Sequence, residues 1–145
     1  MKKLIVISII LFFASLNSSA QTQQQSDYLT FNISGFADNS GQVLVQLFRT
    51  EDNVPTKPFK VLKAKIVNEK AIVIVENLSF GDYAAIIVHD KNSNGIIDHR
   101  LGIPNEPLGY TNNWHLSLFS GMPTFNKLMF TFTGSKYKYN INLNE

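Results

Sequence analysis

Asp90, Asn92 and Asn94 stand at alternate positions in the run His89-Asp90-Lys91-Asn92-Ser93-Asn94-Gly95-Ile96-Ile97-Asp98. A hard cation such as Ca²⁺ takes about six to eight oxygens from a chain that coils around it. The three alternate side chains supply oxygens, and Gly95 permits the sharp bend that must follow. The Ile96 carbonyl adds a backbone oxygen while its side chain is expected to plug into the core. Asp98 closes the set at the ninth place. The twelfth place holds Leu101 rather than a bidentate Glu, and Glu106 lies five residues beyond it. Glu106 would have to fold back to join. With Asp90 and Asp98 as the only carboxylates in the loop, the charge count points to weak binding, on the order of 10⁻⁴–10⁻³ M. The same residues also fit an Asx-rich turn in which the side chains cap backbone N–H groups and no ion is held.

Other chemistry can be drawn from the same stretch. His89, Asp98 and Glu106 around a metal-bound water would make a metal-dependent hydrolase, provided they share a pocket with an open coordination position. The spacing of His89, His99 and His115 matches no zinc pattern. No Gly-x-Ser-x-Gly elbow is present. With no Cys in the chain, disulfides, thiolate metal sites and Cys catalysis are excluded. Further on, Tyr110, Asn112, Asn113 and Trp114 combine stacking surfaces with amides, which suits a glycan or a protein partner. The alternative is that Tyr110 and the sole Trp114 pin a long loop to the body of the domain.

The surrounding elements read as strands. The first 20 residues form a secretory signal: Lys2 and Lys3, the apolar run Leu4 to Leu16, then Ser18-Ser19-Ala20 as the cleavage site. The run is too short to span a bilayer. Cleavage after Ala20 leaves 125 residues, one domain's worth. Without Lys2 and Lys3, eleven basic residues face eleven acidic ones, so the mature chain offers no electrostatic footprint for nucleic acid. Residues 21–27 are polar and aperiodic and are read as a disordered lead.

From Tyr28 the apolar period is two, and it defines a domain over 28–145. Strands are expected at Tyr28–Ser34, Gln42–Phe48, Val61–Val67, Ala71–Val75, Tyr83–His89, Lys127–Thr133 and Lys136–Leu143. The first two are expected to pair as a hairpin across Asp38-Asn39-Ser40-Gly41. Ala71–Val75 and Tyr83–His89 are nearly all apolar and are expected to be covered on both faces. Residues 90–122 read as one long loop, a place where function concentrates. Seven strands without an amphipathic helix point to an all-β, two-sheet antiparallel sandwich, with a closed barrel as the second choice.

Several blocks together resemble one family: Leu78-x-x-Gly81-x-Tyr83-Ala84, His89-Asp90-x-Asn92-x-Asn94-Gly95-x-x-Asp98, Leu101-Gly102-Ile103-Pro104-x-Glu106-x-x-Gly109-Tyr110-x-Asn112-Asn113 and Pro123-x-Phe125. Over about residues 28–144 the chain is similar to DUF2141, exported bacterial proteins of uncharacterised function. The resemblance implies an immunoglobulin-like or prealbumin-like sandwich and a periplasmic or secreted location. It implies no activity, so no catalytic residue is carried over. The strand running into the Asp-x-Asn-x-Asn-Gly loop also looks like the edge of carboxypeptidase-regulatory-like domains, which are accessory modules. The residues therefore favour a non-enzymatic binding domain at the cell envelope, stabilised by Ca²⁺ or by capping alone. Export predicts that the processed protein starts at Gln21. Intact-mass measurement of the secreted or periplasmic product checks this, and a product still starting at Met1 contradicts it.

Overall fold

The computed structural model describes residues 27–143 except 118 and 135. The expected signal peptide and all of the lead but Asp27 lie outside the described residues. The strands, in chain order, are β1 (Tyr28–Ser34), β2 (Gln42–Arg49), β3 (Lys60–Ala64), β4 (Lys70–Glu76), β5 (Gly81–Asp90), β6 (His99–Arg100), β7 (Ile103–Pro104), β8 (Leu108–Tyr110), β9 (Phe130–Phe132) and β10 (Tyr137–Asn142). A single helical turn, α1 (Phe125–Leu128), precedes β9. The protein is thus nearly all-β.

The strands form a three-stranded sheet in the order β10-β1-β4 and a five-stranded sheet in the order β3-β2-β5-β8, with β9 also paired to β5. β6 and β7 make a separate two-stranded ribbon. Period-two alternation explains the first core. Leu29, Phe31 and Ile33 of β1, Val73 and Val75 of β4, and Ile141 of β10 meet Val45 and Leu47 of β2 and Ala85 and Ile87 of β5 in one buried cluster. Phe130 and Phe132 of β9 complete it, with Phe130 edge-on to Phe31 at 6.1 Å between ring centres.

β2 and β5 carry apolar side chains on their other face as well. Leu44, Phe48, Ala84, Ile86, Val88, Tyr110 and Leu128 make a second buried cluster there. The segment after Asp90 covers this face, which is why it is not the open loop its composition suggests. Three short strands run through it: β6, β7 and β8. β8 pairs with β5 through Ile86↔Tyr110 and Val88↔Leu108.

Several expectations are corrected. β1 and β2 do not form a hairpin. They lie in different sheets, and residues 35–41 cross between them. Gly41 has φ +69°, and an added Cβ would overlap the Asp90 carbonyl oxygen, so the crossing is pressed against the start of the 90–98 loop. Pairing is not wholly antiparallel, because β1 and β10 run parallel in register from Leu29↔Tyr137 to Ser34↔Asn142. β4 is covered on one face only. It is an edge strand whose Ile72 and Ile74 point to solvent at 63% and 50% exposure. Isoleucine suits a strand at an exposed position as well as a buried one, so composition misreads this face. Lys127 and Leu128 belong to α1, not to a strand. The N–H groups of both bond to the Thr124 carbonyl, and the turn drops Leu128 into the second cluster.

Two-sided burial of β2 has a direct test. Leu44→Ala and Leu47→Ala remove side chains from opposite faces of one strand, and both are fully buried. Each is expected to destabilise the domain by about 2–5 kcal/mol in urea denaturation. A Leu44 variant as stable as the parent would contradict the second core.

Candidate functional site

The 90–98 loop starts where β5 ends. Asp90 is fully buried, unusual for an aspartate, and is held by hydrogen bonds. Its Oδ1 accepts from the Asn94 N–H at 3.1 Å, and its Oδ2 accepts from the Gly95 N–H at 2.8 Å and from Gln42 Nε2 at 2.7 Å. Burial pushes this carboxyl up. The bonds from Gln42 and from backbone N–H groups outweigh that and hold it below the ordinary value.

The amides repeat the device at two-residue intervals. Asn92 Oδ1 accepts from the Asn94 N–H at 3.0 Å, and Asn94 Oδ1 from the Ile96 N–H at 2.9 Å. Both Nδ2 groups then donate to Asp98, at 2.6 Å from Asn92 and 3.0 Å from Asn94. Ser93 at φ +58° and Gly95 at φ +83° take the left-handed turns that curl the chain.

Glu106 does fold back. Its Oε1 accepts from the Lys91 N–H and its Oε2 from the Asp98 N–H, each at 3.2 Å, so one carboxylate ties both ends of the loop. Burial raises its pKa, and the nearby charges of Asp90 and Asp98 add to the rise, against the lowering effect of its backbone bonds. The donors to Asp90, Asp98 and Glu106 in these bonds are all neutral. Lys63 lies beside the loop, since a Cβ on Gly95 would come 2.8 Å from its Nζ.

The sequence-predicted loop residues Asp90, Asn92, Asn94, Asp98 and Glu106 therefore form one hydrogen-bonded unit. Ile96 departs from expectation: its side chain is 62% exposed, and Ile97 packs against the second cluster instead. Among the described residues, no three His, Asp or Glu side chains form a group that could hold a metal. His89 is buried, with Nε2 2.9 Å from the Ser40 carbonyl oxygen and its ring edge-on to Phe36 at 5.1 Å. It fixes the 35–41 crossing, so the trio His89, Asp98 and Glu106 does not assemble as the hydrolase reading requires.

Beside the loop lies a cleft of about 420 Å³ lined by Glu106, Tyr110, Asn113, Trp114, His115 and Asn140, among others. Of the four predicted binding residues, Tyr110, Asn113 and Trp114 meet there. Asn112 does not. Its Nδ2 donates to the Lys127 carbonyl at 3.1 Å, and its N–H bonds the Tyr139 hydroxyl, so it serves the framework. Trp114 is half-buried, edge-on to Tyr110 at 4.7 Å, with Lys127 Nζ 5.7 Å from its ring. Thr111, which sequence reasoning missed, is fully buried. Its hydroxyl oxygen accepts from the Ala85 N–H at 2.9 Å, and its O–H donates to the Leu128 carbonyl. A threonine between Tyr110 and two asparagines carries no local signal of that role.

Fold and site together define a nearly all-β domain with one Asx-rich loop and an adjoining polar cleft. The chain belongs to the DUF2141 family of uncharacterised proteins conserved in bacteria, whose model matches residues 31–140. No curated protein and no solved structure matches it.

Tyr110 offers a titration test. Burial pushes its phenol up to about 12. In the unfolded chain it ionises near the ordinary value of about 10. The folded state therefore keeps a proton that the unfolded state releases. Its contribution to stability is complete below about pH 10 and is lost as pH rises toward 12. Tyr110→Phe is expected to flatten the loss of stability across that window, as followed by urea midpoints. An unchanged alkaline slope would contradict the burial of the hydroxyl.

Proposed function

We propose that this protein is an exported, non-enzymatic β-sandwich domain, immunoglobulin-like or prealbumin-like, that uses Ca²⁺ to rigidify its 90–98 loop and presents the adjoining cleft to a glycan or protein at the cell envelope. The reading places it in the periplasm or outside the cell, after removal of residues 1–20.

The observation that carries it is the hydrogen-bonded linkage of Asp90, Asn92, Asn94 and Asp98 within one loop, with Glu106 holding both ends. Asp90 Oδ1, Asn92 Oδ1 and Asn94 Oδ1 each accept one backbone N–H and keep a second lone pair for an ion. Two carboxylates, two amide oxygens and the Ile96 carbonyl make an all-oxygen set suited to a hard cation. Glu106 acts behind them by fixing the N–H groups of Lys91 and Asp98. An ion would displace the Asn92 and Asn94 amides that now donate to Asp98. Lys63 opposes the ion's charge, consistent with weak affinity.

Calorimetry of the 21–145 protein with CaCl₂ tests this. A dissociation constant on the order of 10⁻⁴–10⁻³ M is expected, with a rise in Tm. Asp98→Asn should weaken binding and Lys63→Ala should tighten it. Asp90→Ala should also lower Tm and increase protease cutting between residues 90 and 122. No heat and no Tm shift at millimolar calcium would end the ion reading. In the same samples Trp114, the sole Trp, reports on the cleft. Chitooligosaccharides should shift its emission, and an unchanged spectrum would count against a glycan of that class.

A further inference from the structure

A second cavity, of about 450 Å³, lies over the second core, lined by Ile86, Ile97, Ile103, Leu108, Tyr110 and Met122, among others. Its size falls within the range of small-molecule sites, about 300–1,000 Å³. No Lys, Arg, Asp or Glu lines it; His99, Ser117 and Tyr110 are its polar side chains. We propose that this cavity binds a neutral amphiphile: an apolar body carrying one hydroxyl or carbonyl group.

Three observations carry the assignment. The first is the wall. Ile86 comes from β5, and Pro55, Pro104 and Pro123 stiffen the lining, so the space is framed by backbone that cannot easily collapse into it. The second is the mouth. Ile103 and Met122 line the cavity and yet are 66% and 67% exposed, with Leu116 at 43%. Apolar side chains gathered around an opening fit a ligand groove, since a bound apolar body would take them out of water. The third is Tyr110. The residue is 92% buried and packed in the same cluster as Ile86, Ile97 and Leu108, and it lines the cavity; among the described residues its hydroxyl is not one of the sealed polar atoms, so it stays open to a partner from solvent or a ligand. A ligand hydroxyl or carbonyl supplies one here. An ionised head group buried in this lining would meet no opposite charge.

N-phenyl-1-naphthylamine, a neutral dye that brightens in apolar surroundings, serves as the reporter and 1-octanol as the competing probe. Saturable dye binding and its displacement by 1-octanol are expected, with octanoate at least about tenfold weaker. Ile103→Glu places a charge at an exposed position of the mouth. It should abolish dye and octanol binding while leaving Tm unchanged. Tyr110→Phe keeps the ring and removes the hydroxyl, and should weaken 1-octanol about fivefold. Absence of saturable, octanol-displaceable binding to the parent protein would overturn the site. Binding unchanged in Ile103→Glu would do the same. Octanol displacement unchanged in Tyr110→Phe, or octanoate equal to octanol, would overturn the assignment of the ligand's polar group. Ile103 and Met122 belong neither to the 90–98 loop nor to the polar cleft. The Ile103→Glu result is therefore independent of whether calcium or a glycan binds, whereas Tyr110 lines both the cavity and the cleft.

Discussion

Strand β5 carries buried side chains on both faces, and everything else in the domain is arranged to cover them. Tyr83, Ala85 and Ile87 look into the core shared by the two larger sheets, while Ala84, Ile86 and Val88 look the other way. One face is met by a sheet. The other would lie bare unless the chain returned over it, and the stretch from Asp90 to Leu128 does so. The 90–98 loop, the polar cleft and the apolar cavity all belong to this return. The candidate sites exist because a sheet with two apolar faces needs a second cover, and an irregular cover leaves gaps.

The strands were legible where alternation was strict. Tyr28–Ser34 and Tyr137–Asn142 alternate cleanly, and their inward faces are those the pattern indicates. Pairing was not legible. Alternation says which residues face inward but not which strand lies alongside, so the parallel β1–β10 contact and the separation of β1 from β2 had no signature. Uniformly apolar runs were ambiguous. β5 is covered on both sides and β4 on one, although Ala71–Val75 and Tyr83–His89 look alike.

Within the site, local chemistry was readable and distant chemistry was not. Asp90, Asn92 and Asn94 bond to N–H groups a few residues ahead, a geometry that spacing alone encodes. The contact of Glu106 with the loop depends on how the β6–β7 ribbon folds, so spacing could only raise it. His89 was visible as a candidate ligand, but its bond to Ser40 lies across a crossing that no pattern announced. The exposure of Ile96 and burial of Ile97 reverse the expected order by one residue, because the loop's curl, not a strand's pleat, sets the direction there.

The parallel pairing of β1 with β10 joins the first described strand to the last. A chain made from its N-terminus holds β1 with one edge open until Tyr137–Asn142 emerge. The contact spans more than a hundred positions, the kind of distant closure that slows folding. The three-stranded sheet is therefore completed only when the last strand has been made, and until then β1 is held by β4 alone.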